Sequence, residues 1–168
     1  MSRVRQTLAL AVAALICLAT AQGCSTTVDG PAVPVAGNTT SDLRDTAVHV
    51  AEQTAIALTS LDHRDPDGGY DRLLALLTGP ARQEWEQRRV DYLARIKSER
   101  VTANGAAIKA SGVADLDPAA TTATVLVAST AMVSTKQVPA QQKRRYRLRM
   151  DLIRSGAQWK VSQLQVVS

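Results

Sequence analysis

The feature that most constrains the fold of this chain is a change in the spacing of its apolar residues near Val101. Before that point, apolar residues recur every three or four positions, as they do along one face of a helix. This spacing predicts three helices: about twenty residues starting near Ser41, then Tyr70–Leu77, then Pro80 to about Glu99. The segment Asp65–Gly69 is rich in Pro, Gly and Asp, and we expect it to separate the first two helices.

After Val101, apolar and polar residues alternate, which is typical of strands with one buried face. Turn residues divide this region into four predicted strands: Val101–Ala114, Thr121–Thr135, Gln142–Arg154 and Gln158–Val167. Helices followed by an antiparallel meander predict one α+β domain over residues 41–168. Its three helices should pack on one face of a curved four-stranded antiparallel sheet.

The first 24 residues predict export from the cytoplasm. Arg3 and Arg5 precede the apolar run Leu8–Thr20, and small residues follow it. Gly23-Cys24 resembles the end of a bacterial lipobox, which predicts lipidation at Cys24, although Gln22 stands where a lipobox usually has a small residue. An uncleaved signal anchor and a simply secreted domain are the alternatives. Residues 25–40, rich in Thr, Ser, Gly and Pro, are predicted to form a flexible tether.

The third predicted strand carries a row of basic side chains. Lys143, Arg145, Arg147 and Arg149 alternate with Tyr146, Leu148 and Met150, so the basic residues should share the face of the sheet opposite the apolar ones. The row is either a solvated surface or a site for an anionic partner, such as lipid head groups or an acidic protein face. Nucleic acid is not an expected partner, because the protein is predicted to be exported and no exposed aromatics are interleaved with the row.

Candidate catalytic groups are few and scattered. His49, His63, Asp91, Tyr92 and Tyr146 could in principle act as acids or bases, but they match no hydrolase triad, phosphate loop or zinc spacing. Cys17 and Cys24 are the two cysteines, so a mature domain would have no thiolate metal site. The sequence therefore predicts a protein without catalytic residues, cofactor or metal.

Large aromatic side chains are rare, at 3% of the residues and with no Phe. They are either core residues or the lining of an apolar cavity that could hold a lipid. The candidates for such a lining are Trp85, Tyr92, Tyr146 and Trp159.

The order of elements resembles the cone-shaped fold shared by nuclear transport factor 2 and SnoaL-like proteins. The chain also resembles the actinobacterial Mce-associated membrane proteins. The features that carry this resemblance are the predicted export segment, Tyr70-Asp71, the segment Leu76–Gly79 and the closing segment Gln158–Leu164. That resemblance implies a non-enzymatic accessory subunit of an Mce-type lipid or sterol transport complex. Such a subunit would lie on the outer face of the cytoplasmic membrane and bind transporter subunits or other envelope proteins.

Two alternatives to that function stay open at this point. The first is a small-molecule enzyme or lipid carrier that uses the cavity of the cone. The second is a scaffold of a conjugation or secretion machine, where related folds are also anchored to membranes.

Overall fold

The predicted order of three helices followed by long strands is confirmed in the computed structural model, which describes residues 39–167. The helices are α1 (Thr40–Leu58), α2 (Pro66–Leu76) and α3 (Gly79–Glu99). The strands are β1 (Leu61–Asp62), β2 (Thr102–Leu116), β3 (Thr122–Ser134), β4 (Gln142–Ser155) and β5 (Gln158–Val166). The strands form one antiparallel sheet in the order β1-β2-β3-β4-β5, and the helices lie on one of its faces.

The sheet has five strands where the sequence predicted four. The additional strand, β1, pairs Leu61 with Ala103 and Asp62 with Thr102, and the backbone N–H of His63 donates to the carbonyl of Val101 at 3.0 Å. Two residues cannot display an alternating pattern, so periodicity could not have revealed this strand. It covers only the first part of the β2 edge.

Two helix starts differ from the prediction because of local capping. Thr39, rather than Ser41, caps α1: its side chain accepts from the backbone N–H of Asp42 at 3.1 Å, and Asp42 completes a capping box. Helix α2 begins at Pro66 rather than Tyr70. The Asp65 carboxylate accepts from the backbone N–H of Gly68 at 3.1 Å, so the segment predicted to be a break is the cap and first turn of a helix.

The core forms where the small side chains of α1 meet the apolar face of the sheet. Ala47, Ala51 and Ala55 have no exposed surface, which allows the helix to approach the strands closely. Opposite them lies the inner face of the sheet, whose most deeply buried side chains include Val125, Val127, Leu148, Met150, Leu152, Trp159 and Val161. Each large aliphatic side chain buried this way contributes roughly 1.5–3 kcal/mol, which compensates for the shortage of aromatic residues.

The alternation predicted for β4 is confirmed. Leu148 and Met150 are buried in the core, whereas Arg145, Arg147 and Arg149 are exposed on the opposite, outer face of the sheet. The ladder between β3 and β4 runs without a register shift from the Thr122–Ile153 pair to the Val133–Gln142 pair. The pairing of β4 with β3 is therefore regular where β4 carries its basic residues.

The predicted export segment over residues 1–24, with Cys24, and most of the tether over residues 25–40 lie outside the described residues. Lipidation of Cys24 therefore stays a prediction. Within residues 39–167, no helix is both long enough and apolar enough to cross a membrane.

Candidate functional site

The basic residues predicted from the alternation of β4 lie together on the outer face of the sheet. We call Lys143, Arg145, Arg147 and Arg149 the basic row; all four are exposed. Their cross-strand neighbours on β3 are uncharged: Met132, Thr130, Ala128 and Leu126. The row therefore has no acidic residue beside it on β3.

Among residues 39–167, Arg149 is the one member of the basic row that forms an ion pair. Arg149 Nε lies 3.5 Å from Asp151 Oδ1, and the other bond to that oxygen comes from the Thr124 hydroxyl at 2.8 Å. Among residues 39–167, no carboxylate forms an ion pair with Lys143, Arg145 or Arg147. Such charges attract an anionic partner over about a Debye length, roughly 8 Å at physiological ionic strength.

An apolar groove runs along the outer face beside the basic row. This outer groove has a volume of about 510 Å³. Its lining includes Ala110 and Gly112 of β2, Leu126 and Ala128 of β3, Arg147 of β4, and Val167. Leu126 and Val167 are each nearly half exposed. Apolar contact area and a charged rim thus occur on one surface, as they do at protein interfaces.

Two of the four predicted cavity-lining residues meet in a ring cluster between α2 and α3. The ring centroids of Trp85 and Tyr92 are 5.4 Å apart, and Tyr70 lies 5.9 Å from Trp85 and 5.4 Å from Tyr92. The Tyr70 hydroxyl donates to the backbone carbonyl of Trp85. We call these three residues the aromatic cluster; sequence reasoning had not placed Tyr70 with the other two.

The other two predicted lining residues make no ring contact with the aromatic cluster. Trp159 is 4% exposed in the core, and its Nε1 has no hydrogen-bond partner among the described residues. Tyr146 is half-buried on the inner face of β4. The structure therefore does not gather all four around one ring cluster, and the lining of a lipid cavity by these residues stays a prediction.

Arg89 packs against the aromatic cluster on the side that faces solvent. The Arg89 guanidinium lies 5.3 Å from the centroid of the Tyr70 ring and reaches Asp71 at 2.7 Å and Asp67 at 3.2 Å. Lys97 also contacts Asp67, at 3.5 Å. These bonds join α2 to α3, so the acidic residues of this segment have structural partners.

The candidate acids and bases are dispersed in the structure. His49 and Asp91 are exposed on different helices, and His63 Nδ1 lies 3.2 Å from Thr102 Oγ1. Burial raises the pKa of Tyr92 to about 12, so its phenol keeps its proton at neutral pH. Burial also raises the pKa of Tyr146. Within residues 39–167, no three His, Cys, Asp or Glu side chains are grouped so that they could hold a metal ion.

These features define a class of protein: a small α+β domain with three helices on one face of a curled antiparallel sheet and a basic, partly apolar face on the other. The chain belongs to the family described as "Uncharacterized protein Rv1363c/MT1408-like", whose family model matches residues 6–168. It is 28% identical over 117 residues to the protein Rv1363c of Mycobacterium tuberculosis. That match covers 70% of this chain and 44% of the relative, so the chain spans less than half the length of that protein.

The fold is similar to two solved proteins named as components of type IV secretion systems and to one solved periplasmic domain. An IcmL-like type IV secretion system protein from Legionella pneumophila superposes with a TM-score of 0.57 at 15% identity, covering 74% of this chain and 91% of that one. The periplasmic domain of DotI gives 0.54 at 14% identity, with 71% and 91% covered. CagV from Helicobacter pylori, a VirB8 homologue, gives 0.55 at 9% identity, with 73% and 97% covered. At these identities the likeness concerns the fold alone.

Proposed function

We propose that this protein is a non-enzymatic accessory scaffold of a multiprotein complex in the cell envelope, and that it binds a protein partner with the outer face of its sheet. The observation that carries the proposal is the basic row, bordered by the outer groove, in which Lys143, Arg145 and Arg147 form no ion pair among residues 39–167. The apolar lining of the outer groove would supply contact area, and the charges of the basic row would attract an acidic partner and select it over others. The three helices of residues 39–167 pack on the opposite face of the sheet.

The similar folds support the setting of this proposal. The names of the IcmL-like protein and CagV place those proteins in type IV secretion systems, and the DotI domain is described as periplasmic. The resemblance to Mce-associated proteins favours subunits of an Mce-type lipid or sterol transporter as the partner. A secretion or conjugation machine is the alternative assembly for the same scaffold role.

We further propose that the domain works on the outer face of the cytoplasmic membrane, held there by lipid on Cys24 or by an uncleaved anchor. Replacing Cys24 by Ala in the full chain distinguishes the two. We expect the variant to leave the membrane fraction if Cys24 is lipidated. Unchanged partitioning would contradict lipidation and favour the anchor.

The scaffold role is tested by crosslinking and co-purification of the full chain from native membranes. The test variant is Arg145→Glu with Arg147→Glu, because neither residue forms an ion pair among residues 39–167. The matched control is Arg44→Glu with Arg72→Glu, which changes the net charge equally at exposed positions on the helices. We expect a defined envelope protein to be recovered with the wild type and the control, and lost with the test variant. Equal recovery with all three would refute the role of this face.

A lipid carrier is the second candidate function, and the outer groove is the observation that favours it. Its lining is largely apolar and Arg147 lies at its border, which suits an anionic amphiphile. Native mass spectrometry of the full chain tests this candidate. A retained lipid that is lost in Leu126→Glu would support it, and a lipid-free protein from native membranes would contradict it.

A further inference from the structure

On the side of β4 that faces away from β3, the first part of the strand has no neighbour among the described residues. Strand β5 pairs with β4 from Ser155 back to Leu148, and the last bond between them runs from the backbone N–H of Val167 to the carbonyl of Arg147, at 2.8 Å. Within the described residues, nothing pairs with Gln142–Tyr146 on that side. We call this stretch the open edge. An unpaired edge is a template for another strand.

The other edges of the sheet are less suited to strand addition. Along β2, beyond the short β1, the register with β3 shifts at three places, and such irregularities blunt an edge. At β5, Leu77 bridges to Val161, and the N–H of Thr78 donates to the Val161 carbonyl at 2.8 Å. The open edge, by contrast, belongs to a strand whose ladder with β3 is unbroken.

The orientation of the backbone links the open edge to the basic row. In a strand, the N–H and C=O of one residue point to the same side, and successive residues alternate. Because the carbonyl of Arg147 faces β5, the backbone groups of Arg145 and Lys143 face the same side. The residues that offer donors and acceptors to the open edge are therefore Lys143 and Arg145 of the basic row, whereas the backbone groups of Arg144 face β3.

We propose that an extended acidic segment of a protein partner adds as a strand to the open edge, antiparallel to β4 and in line with β5. This inference rests on the proposed scaffold function and specifies the chemistry of its partner. Lys143 and Arg145 can each exchange two backbone hydrogen bonds with the added strand, over a stretch of roughly 17 Å. Such strand addition takes its affinity from the main chain and its specificity from alternate side chains.

The charge of the open edge selects the occupant. Lys143 and Arg145 project on the outer face and the exposed Arg144 on the inner face, so an added strand meets positive charge on both sides. A second copy of β4 would place basic residues opposite basic residues, which destabilises a strand pair. Acidic residues at every second position, about 7 Å apart, would instead face Lys143 and Arg145.

The test measures the binding of a labelled peptide to the full chain purified in detergent, by fluorescence anisotropy. The probe is an octapeptide that alternates Glu and Val. One control has the same sequence with N-methyl groups on alternate backbone nitrogens, which keeps the charges and removes the donors. A second control has Lys in place of Glu. We expect saturable binding of the probe, and at least about tenfold weaker binding of both controls.

A protein variant tests the same contact from the other side. Arg145→Pro removes an edge-facing donor without removing a bond to β3, whereas Arg145→Ala removes only the charged side chain. We expect the proline variant to bind the probe at least about fivefold more weakly than the alanine variant. Circular dichroism and the midpoint of thermal unfolding establish that both are folded.

Three results would overturn the proposal that an acidic strand adds to the open edge. They are no saturable binding of the probe, equal binding of the N-methylated peptide, and equal binding of the lysine peptide. Equal binding of the N-methylated peptide would mean that charge attraction acts without a new strand. None of these results would refute the scaffold function, because co-purification from native membranes measures recovery of the natural partner however it is bound.

Discussion

Raising the pH above about 10 should destabilise this domain through Tyr92 in particular. Burial raises the pKa of this phenol from an ordinary 10.0 to about 12, and the neighbouring Tyr70 and Tyr146 add to the effect. Below about pH 10, the folded and unfolded chains both keep the proton, so the stability does not depend on this group. Between about pH 10 and about pH 12, the unfolded chain releases the proton while the folded chain retains it, so stability is lost.

The magnitude follows from the difference between the two pKa values. A difference of about two units corresponds to a loss of about 2 kcal/mol in the free energy of unfolding by about pH 12. Because Tyr92 lies 5.4 Å from Trp85, tryptophan fluorescence reports on this part of the core.

The assay is urea unfolding at a series of pH values, for the wild type and for Tyr92→Phe. The phenylalanine variant keeps the ring but cannot titrate, so its stability should fall less steeply over this range. The two proteins differ only in the Tyr92 hydroxyl, so the difference between their pH dependences reports on this group and on its coupling to Tyr70 and Tyr146. Identical pH dependence of the two proteins would refute the reasoning, as would tyrosinate absorbance showing all three phenols ionised near pH 10 in the folded protein.

Three further predictions concern the core, and urea unfolding at neutral pH checks each of them. Met150→Ala should lower the free energy of unfolding by about 2–5 kcal/mol, because Met150 is completely buried and its removal leaves a cavity; a loss well below 1 kcal/mol would contradict this. Ser129→Ala should leave the free energy of unfolding unchanged or raise it slightly, since the buried Ser129 hydroxyl has no partner within residues 39–167. Ser162→Ala should lower the free energy of unfolding by about 1 kcal/mol, because it removes the hydrogen bond to the Asp151 carbonyl. The reverse order would be inconsistent with these bonds. Ala51→Leu should destabilise by about 1–3 kcal/mol by overfilling the contact of α1 with the sheet, and Ala94→Leu, at an exposed position on α3, should change little.

The sequence predicts well those elements in which apolar residues recur on one face over many positions. Strand β4 shows why: Leu148 and Met150 at alternate positions can be buried only if the arginines between them face outward. The errors occur where a few local bonds decide the structure. The capping bond of Asp65 moves the start of α2 back to Pro66, and pairing with Thr102 and Ala103 makes a strand of Leu61–Asp62.

The candidate site was predictable in part for the same reason. The basic row follows from alternation alone, so its position on the outer face is confirmed. The outer groove requires Gly112 of β2, Leu126 of β3 and Val167 after β5 to lie side by side, and this depends on the registers between strands far apart in sequence. The aromatic cluster depends in the same way on the packing of α2 against α3, which no spacing within one helix reveals.

The open edge combines two alternations that are tied to each other, because the face on which a side chain of a strand lies fixes the side to which the backbone groups of that residue point. Burial of Leu148 and Met150 decides that the side chains of Arg145 and Arg147 face outward. The bond from Val167 to Arg147 decides that the backbone groups of the same residues face the free edge rather than β3. A shift of one residue between β4 and β3 would reverse both, turning the arginines into the core and their backbone groups toward β3. The packing of the core therefore also maintains the charged edge, and a core substitution that changed this register would abolish partner binding even in a folded protein.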